Sequence, residues 1–164
     1  GRAAVGVGGE DDGHAYRDEA NRHKKRRNAF FQLAEAAHLA GDHALARRHA
    51  NVGHEHNIKA QELDGLAQQA HRHKNERCSD DMVLDLHGFL VHEAMQEVEE
   101  FVSWHEGECV GHKEYDVDII TGAGRHSVGG KAKIKPQVQK WLDQRGLKYY
   151  AIGDGRFKVR LGGR

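Results

Sequence analysis

Residues 83–89, with the sequence VLDLHGF, place two ionisable residues, Asp85 and His87, in a run that is otherwise mostly aliphatic. Residues two positions apart in a β-strand point to the same face, so the carboxylate and the imidazole are expected to be neighbours. An imidazole can donate or accept a proton near neutral pH, and a carboxylate beside it can fix its tautomer or stabilise its cationic form. The pair therefore predicts acid–base chemistry.

A second stretch, residues 119–130 with the sequence IITGAGRHSVGG, is rich in glycine and is followed by several lysines. Glycine lets backbone N–H groups approach an anion closely, and cationic side chains add charge to such a loop. The lysines lead into a predicted helix N-terminus, which itself favours anions. The residues that we expect to contact phosphate are Gly122, Gly124, Arg125, His126, Ser127, Lys131, Lys133 and Lys135.

Two common nucleotide-binding motifs do not fit this loop. A P-loop requires four residues between its first glycine and a Gly-Lys pair, but five residues separate Gly124 from Gly130, and Ala132 follows Lys131. The dinucleotide-binding pattern requires a third glycine where Ser127 stands. The sequence therefore predicts no nucleotide cofactor.

Composition indicates a soluble globular protein, with 38% hydrophobic and 30% charged residues. No apolar run approaches the ~18 residues of a membrane-spanning helix. Residues 81–121 hold eleven acidic residues and one lysine, whereas residues 122–164 hold eleven basic residues and two aspartates. A local basic surface, which attracts phosphate, is compatible with the net charge of zero. Cys78 and Cys109 favour reduced thiols, so we expect a cytoplasmic protein.

The pattern of residues divides the chain into a flexible tail (1–13), a helical hairpin (14–78) and a compact domain (82–162). Gly41 is suited to end the first helix and Asp42 to cap the next one. One face of the first helix is apolar, and the second helix is expected to bury larger side chains. The residues concerned are Phe30, Leu33, Ala34 and Ala37, then Leu45, Val52, Leu63 and Leu66.

The compact domain reads as strand, helix, strand, helix and a terminal β-hairpin, which is an α/β fold of order βαβαββ with a mixed sheet in two layers. His87 is expected to be the last residue of the first strand, and the glycine-rich loop follows the second strand. Carboxyl ends of parallel strands meet at one edge of a sheet, where ligands bind. The two chemical stretches are therefore expected to meet.

Together these stretches resemble a small MutS-related (Smr) domain. The matching segments are LDLHG at 84–88, IITGAGRHS at 119–127, GGKAKIKPQVQKWL at 129–142 and FKVRLG at 157–162. The preceding helical segment resembles the extension that often precedes eukaryotic Smr domains. The resemblance implies nucleic-acid binding and, in several members, endonuclease activity with Asp85 and His87 as the catalytic pair.

What the resemblance leaves open is the substrate and whether cleavage occurs. Members with the helical extension are linked to cleavage of mRNA on stalled ribosomes, and others nick or bind branched DNA, so we expect RNA more than DNA and a ribosome as a possible partner. Many members carry a basic residue where this chain has Ala123, and Arg125 is a candidate substitute. A non-catalytic binding module and a ribosome or protein adaptor remain alternatives. No third ligand accompanies Asp85 and His87, which disfavours an obligatory metal.

Three further features are expected to be structural. Most of the 14 histidines are interpreted as surface residues, and the acidic segment 97–100 as a solvated helix face. Trp104 and Trp141 are expected to lie in the core rather than to stack on bases.

Overall fold

The computed structural model describes residues 12–77, 80–108, 113–123 and 132–162. The chain divides into two compact units between residues 70 and 71, within the second helix. Cys78 and Cys109 lie outside the described residues, as do residues 1–11 of the predicted tail. No helix in the described ranges is long and apolar enough to cross a membrane.

The first unit is a helical hairpin formed by α1 (Asp12–Leu39) and the larger part of α2 (His43–Arg77). Gly41 has φ +82°, the left-handed conformation that glycine adopts at a helix C-terminus. The Asp42 carboxylate accepts a hydrogen bond of 2.9 Å from the Leu45 N–H, as an N-cap does. Both predicted turn residues are confirmed.

The prediction that leucines and Val52 form the hairpin core is wrong, whereas the burial of Ala37 on the predicted apolar face of α1 is confirmed. Leu33, Leu45 and Leu66 are exposed, and Val52 and Leu63 are only half-buried. The buried side chains are instead alanines, and the Phe31 ring occupies the space above Gly53. Small side chains at the contact let two helices approach closely, which favours alanine over leucine there. The buried alanines are Ala20, Ala37, Ala46, Ala60 and Ala67.

Polar contacts supplement this thin core. Asp64 accepts a bond of 2.5 Å from Arg17 and lies 2.7 Å from the Lys24 ammonium. The His23 and His56 rings meet at 2.8 Å between their Nδ1 atoms, so these two histidines contribute to the contact between the helices.

The second unit has the order that the sequence predicts. Its elements are β1 (Val83–Asp85), α3 (Val91–Glu108), β2 (Tyr115–Ile120), α4 (Ile134–Gln144), β3 (Lys148–Ile152) and β4 (Arg156–Leu161). The sheet order is β1-β2-β4-β3, with β1 parallel to β2 and the other pairs antiparallel. The βαβαββ mixed sheet is confirmed, and it makes β1 an edge strand.

One face of the sheet forms the core with α3 and α4. Phe157, Ile119 and Leu142 are among the largest of its fully buried side chains. Residues of the opposite face, called the open face below, are all exposed or half-buried. They are Val83, Asp85, Asp116, Asp118, Ile120, Lys148, Tyr150, Ile152, Arg156, Lys158 and Arg160.

Ion pairs on the open face offset part of the charge asymmetry seen in the sequence. Arg160 bonds Asp116 at 2.9 Å, and Arg156 bonds Asp118 across the β2–β4 ladder. The hydrogen bond from Arg160 holds the pKa of Asp116 below its ordinary value. The acidic and basic segments are therefore partners within one sheet.

Trp104 was expected in the core, and this is wrong, because its side chain on α3 is 55% exposed. Trp141 is partly buried against the core, and the Arg145 guanidinium lies 5.2 Å from its ring centroid.

The alanine core predicts that enlarging a buried alanine destabilises the hairpin more than truncating an exposed leucine. Ala67→Leu inserts bulk into a fully buried position and should lower the free energy of unfolding by about 1–3 kcal/mol. Leu66→Ala, one position earlier and 43% exposed, should change it by less than about 0.5 kcal/mol. Urea unfolding followed by circular dichroism measures both, and a larger loss in Leu66→Ala would contradict this packing.

Candidate active site

The carboxyl end of β1 delivers the two ionisable residues to the edge of the sheet. β1 ends at Asp85, and the Leu86 N–H still donates to the Ile120 carbonyl at 2.8 Å. The chain then turns at Gly88, which has φ +83°. His87 therefore lies in the turn just beyond the strand, not within the strand as the sequence predicts.

A single carboxylate oxygen of Asp85 binds His87 twice. Asp85 Oδ1 accepts the backbone N–H of His87 at 2.9 Å and lies 2.5 Å from the imidazole Nδ1. An ionised carboxylate only accepts hydrogen bonds, so the neutral imidazole carries its proton on Nδ1. Nε2 is then left as a proton acceptor. The His87 side chain is 53% exposed, so solvent and substrate can reach it.

Gly122, immediately beyond β2, lies against this imidazole. A Cβ built on Gly122 would be 3.1 Å from His87 Nε2, and its φ of +74° also favours glycine. Any side chain at this position would crowd the ring and strain the backbone. The structure thus brings the Asp-x-His stretch and the start of the glycine-rich loop together.

The β3–β4 turn supports the Gly122 backbone from the other side. The Gly155 carbonyl accepts the N–H groups of Thr121 at 2.8 Å and Gly122 at 3.2 Å. A Cβ on Gly155 would lie 2.7 Å from the Gly122 carbonyl carbon, so glycine is required there. The sequence predicts that Gly155 belongs to a hairpin turn. Its contact with the loop after β2 is tertiary, so the local pattern of residues does not indicate it.

The predicted phosphate-binding residues fall into two groups. Lys133 is exposed just before α4, whereas Lys135 is half-buried and donates to the Asp154 carbonyl at 2.9 Å. Lys135 therefore ties α4 to the β3–β4 turn. Gly124, Arg125, His126, Ser127 and Lys131 lie outside the described residues.

Asn75, near the end of α2, holds the outer edge of β1. Its Oδ1 accepts the Asp85 N–H at 3.0 Å, and its Nδ2 donates to the Asp85 carbonyl at 2.8 Å. These two bonds reproduce what a neighbouring strand would offer to an edge strand. Residues 71–77 thus belong to the second unit, consistent with the division of the chain.

Two neighbours of Asn75 fix the same segment. His71 is buried beneath Gly88, where an added Cβ would be 2.2 Å from the imidazole, and its ring centroid is 5.5 Å from that of Phe89. Arg72 lies 2.6 Å from Glu97, and this hydrogen-bonded partner raises the Arg72 pKa. Glu97 is buried, so the expectation of a solvated acidic face at 97–100 is wrong at this residue.

The sequence pattern does not indicate the contact between Asn75 and β1, because it assigns Asn75 to the helical hairpin (14–78) and not to the compact domain (82–162). Asn75 is a common helix-surface residue, and only the pairing with an edge strand reveals its contribution.

Metal-binding geometry is not found in the described ranges, where no three His, Cys, Asp or Glu side chains form a group able to hold an ion. At this site, Asp85 Oδ1 is already engaged by two N–H groups of His87.

Comparison with known families matches both parts of the chain. The Smr domain profile matches residues 84–156, and the profile of a domain of unknown function, DUF1771, matches residues 14–75. The chain therefore contains an Smr domain, preceded by a DUF1771 region.

Individual relatives share these regions at modest identity. Human NEDD4-binding protein 2 is 34% identical over 149 residues, which are 89% of this chain and 8% of that protein. The Saccharomyces cerevisiae protein named Endonuclease NBR9 is 25% identical over 131 residues, 76% of this chain and 50% of that protein. The solution structure of the B3BP Smr domain is 35% identical with a TM-score of 0.48, covering 61% of this chain and 97% of that domain.

Removing the Asn75 amide should loosen the edge of β1. Asn75→Ala leaves the Asp85 N–H and carbonyl without these partners and should cost about 1–3 kcal/mol in the free energy of unfolding. Amide hydrogen exchange by NMR should accelerate more at Asp85 than at Ile119 inside β2, because Asp85 loses its own partner in addition to any loss of global stability. Asn75→Asp keeps the acceptor for the Asp85 N–H but turns a second acceptor towards the Asp85 carbonyl, so it should not restore the wild-type exchange rate at Asp85. Unchanged exchange at Asp85 would contradict this assignment.

Proposed function

We propose that the unit of residues 71–164 is an endonuclease that binds single-stranded RNA and cleaves its phosphodiester bonds. The observation that carries this proposal is the exposed His87 imidazole, held through Nδ1 by Asp85 and directed through Nε2 towards Gly122. Such a ring presents a proton acceptor at the edge of the sheet where the glycine-rich loop begins. The relative named Endonuclease NBR9 supports a nuclease.

In the proposed reaction, His87 Nε2 takes the proton from a ribose 2′-hydroxyl. The 2′-oxygen attacks the adjacent phosphorus, the bond to the 5′-oxygen breaks, and water protonates the leaving oxygen. The product is a 2′,3′-cyclic phosphate. Asp85 stabilises the imidazolium that forms, as a carboxylate beside a catalytic histidine does.

The glycine-rich loop has two separate tasks in this proposal. Gly122 leaves room for the imidazole, since its own N–H already donates to the Gly155 carbonyl. Backbone N–H groups further along the loop, with Arg125, His126 and Ser127, stabilise charge on the phosphate. Gly124, Lys131 and Lys133 extend this phosphate-binding region.

We also propose a setting for this activity, which is quality control of mRNA in the cytoplasm with the ribosome as a partner. The proposal rests on the resemblance to Smr domains that carry this helical extension. The names of the relatives do not state a substrate for this chain.

A second candidate function is nucleic-acid binding without cleavage. It is favoured by Ala123, an exposed residue beside Gly122 that brings no charge to the phosphate. RNA affinity without any product would establish this function, and nicking of branched DNA would indicate the DNA-directed alternative.

The central substitution is His87→Ala. Loss of proton transfer from a positioned side chain should reduce RNA cleavage about 10²- to 10⁴-fold, measured on a labelled single-stranded RNA. An RNA with a 2′-deoxyribose at the cut position should resist the wild-type protein, because the attacking oxygen is missing.

His38→Ala is the matched control, because His38 is an exposed histidine in the helical hairpin. It should cleave as the wild type does. Cleavage by His87→Ala at the wild-type rate would eliminate the proposed role of His87.

A chelator distinguishes this chemistry from a metal-assisted reaction. Because Asp85 Oδ1 is occupied by His87, we expect cleavage to continue unchanged after dialysis against EDTA. Loss of cleavage in EDTA, with recovery on addition of a divalent cation, would show that the reaction requires a metal.

A further inference from the structure

We propose that the β3–β4 half of the open face is a binding surface for single-stranded RNA, with Tyr150 stacking on a base beside the cut site. This inference rests on the proposed function, because it describes how the substrate reaches His87.

The strand register places this surface in line with the catalytic pair. Asp85 pairs with Ile120, Ile120 with Arg156, and Arg156 with Ile152, so these residues form one row across the open face. The next row runs from Val83 through Asp118 and Lys158 to Tyr150. An RNA strand that follows these rows from β3 to β1 therefore ends beside Asp85.

Tyr150 has the exposure that a stacking platform needs. Its side chain is 55% exposed, and its row neighbour Lys158 is half-buried. The preceding residue, Tyr149, points the other way, where its ring meets Phe157 edge-on at 5.4 Å in the core. Ile152 is also exposed, two residues along the same face, and adds apolar surface for a second base or a ribose.

The charges divide the open face into unequal halves. Asp116 and Asp118 on β2 are offset by Arg160 and Arg156. On the β3–β4 side, Lys148 and Lys158 are two further cations, and together with Arg156 and Arg160 they outnumber the two carboxylates on β2. Lys158 lies opposite Asp118 in the ladder and, after Arg160, helps to lower the pKa of Asp116. The negatively charged backbone of an RNA strand is therefore attracted most strongly to the surface of β3 and β4.

The distance suits a strand that continues into the site. Neighbouring strands lie about 4.8 Å apart, so β3 is about 14 Å from β1 across the sheet. A base stacked on Tyr150 would thus lie near the cut phosphate without taking part in the reaction. Single-stranded RNA fits better than duplex, because bases in a duplex keep their faces stacked on one another.

The test measures RNA binding in a background that cannot cut. Fluorescence anisotropy with a labelled single-stranded RNA compares His87→Ala with the double variant His87→Ala/Tyr150→Ala. Loss of one base–aromatic stack should weaken binding about 5- to 150-fold. Tyr150→Phe keeps the ring and should restore binding.

Trp104→Ala is the control, since Trp104 is equally exposed but lies on α3, away from the open face. It should leave binding unchanged. For charge, Lys158→Ala should reduce the slope of affinity against salt by about one, whereas Lys140→Ala on α4 should not.

The inference is overturned if Tyr150→Ala binds like its parent, or if Trp104→Ala weakens binding equally. Because affinity is read separately from cleavage, the two proposals can fail independently. If Tyr150→Ala weakens binding but His87→Ala cleaves at the wild-type rate, the binding surface stands and the nuclease mechanism fails. If Tyr150→Ala leaves binding unchanged but His87→Ala loses cleavage, the mechanism stands and the binding surface fails.

Discussion

The contact between one oxygen of Asp85 and two N–H groups of His87 is the interaction on which the site depends. The two residues are only two positions apart, so a local turn, and not contacts with distant residues, positions the imidazole. Because the carboxylate occupies Nδ1, the free nitrogen faces Gly122 and the solvent. A histidine held in this way presents the proton acceptor that the proposed reaction requires.

The surrounding fold maintains this contact at an exposed sheet edge. β1 has only three residues and one strand neighbour, so its outer side must find partners elsewhere. Asn75 supplies them for Asp85, and Gly155 supports the backbone of Gly122. Asp85 and His87 therefore lie at the edge of the sheet, between elements that come from distant parts of the chain. Asp85 is also part of the open face, on its edge strand.

The order of strands and helices could be predicted from the sequence, because alternating and helical patterns are strong over residues 83–161. The meeting of His87 and Gly122 followed from the parallel pairing of β1 with β2. Contacts that depend on tertiary pairing could not be predicted, and Asn75 is the main example. Leu66 was predicted to be buried because it belongs to the apolar stripe of the second helix, but the helix buries the smaller Ala67 instead.

The position of the proton on the neutral His87 ring can be measured. Nitrogen-15 NMR of histidine-labelled protein distinguishes the two neutral tautomers by the coupling of each ring nitrogen to the ring protons. We expect neutral His87 to carry its proton on Nδ1, and Asp85→Ala to remove this preference. A proton on Nε2 in the wild-type protein would leave no acceptor facing Gly122 and would contradict the account.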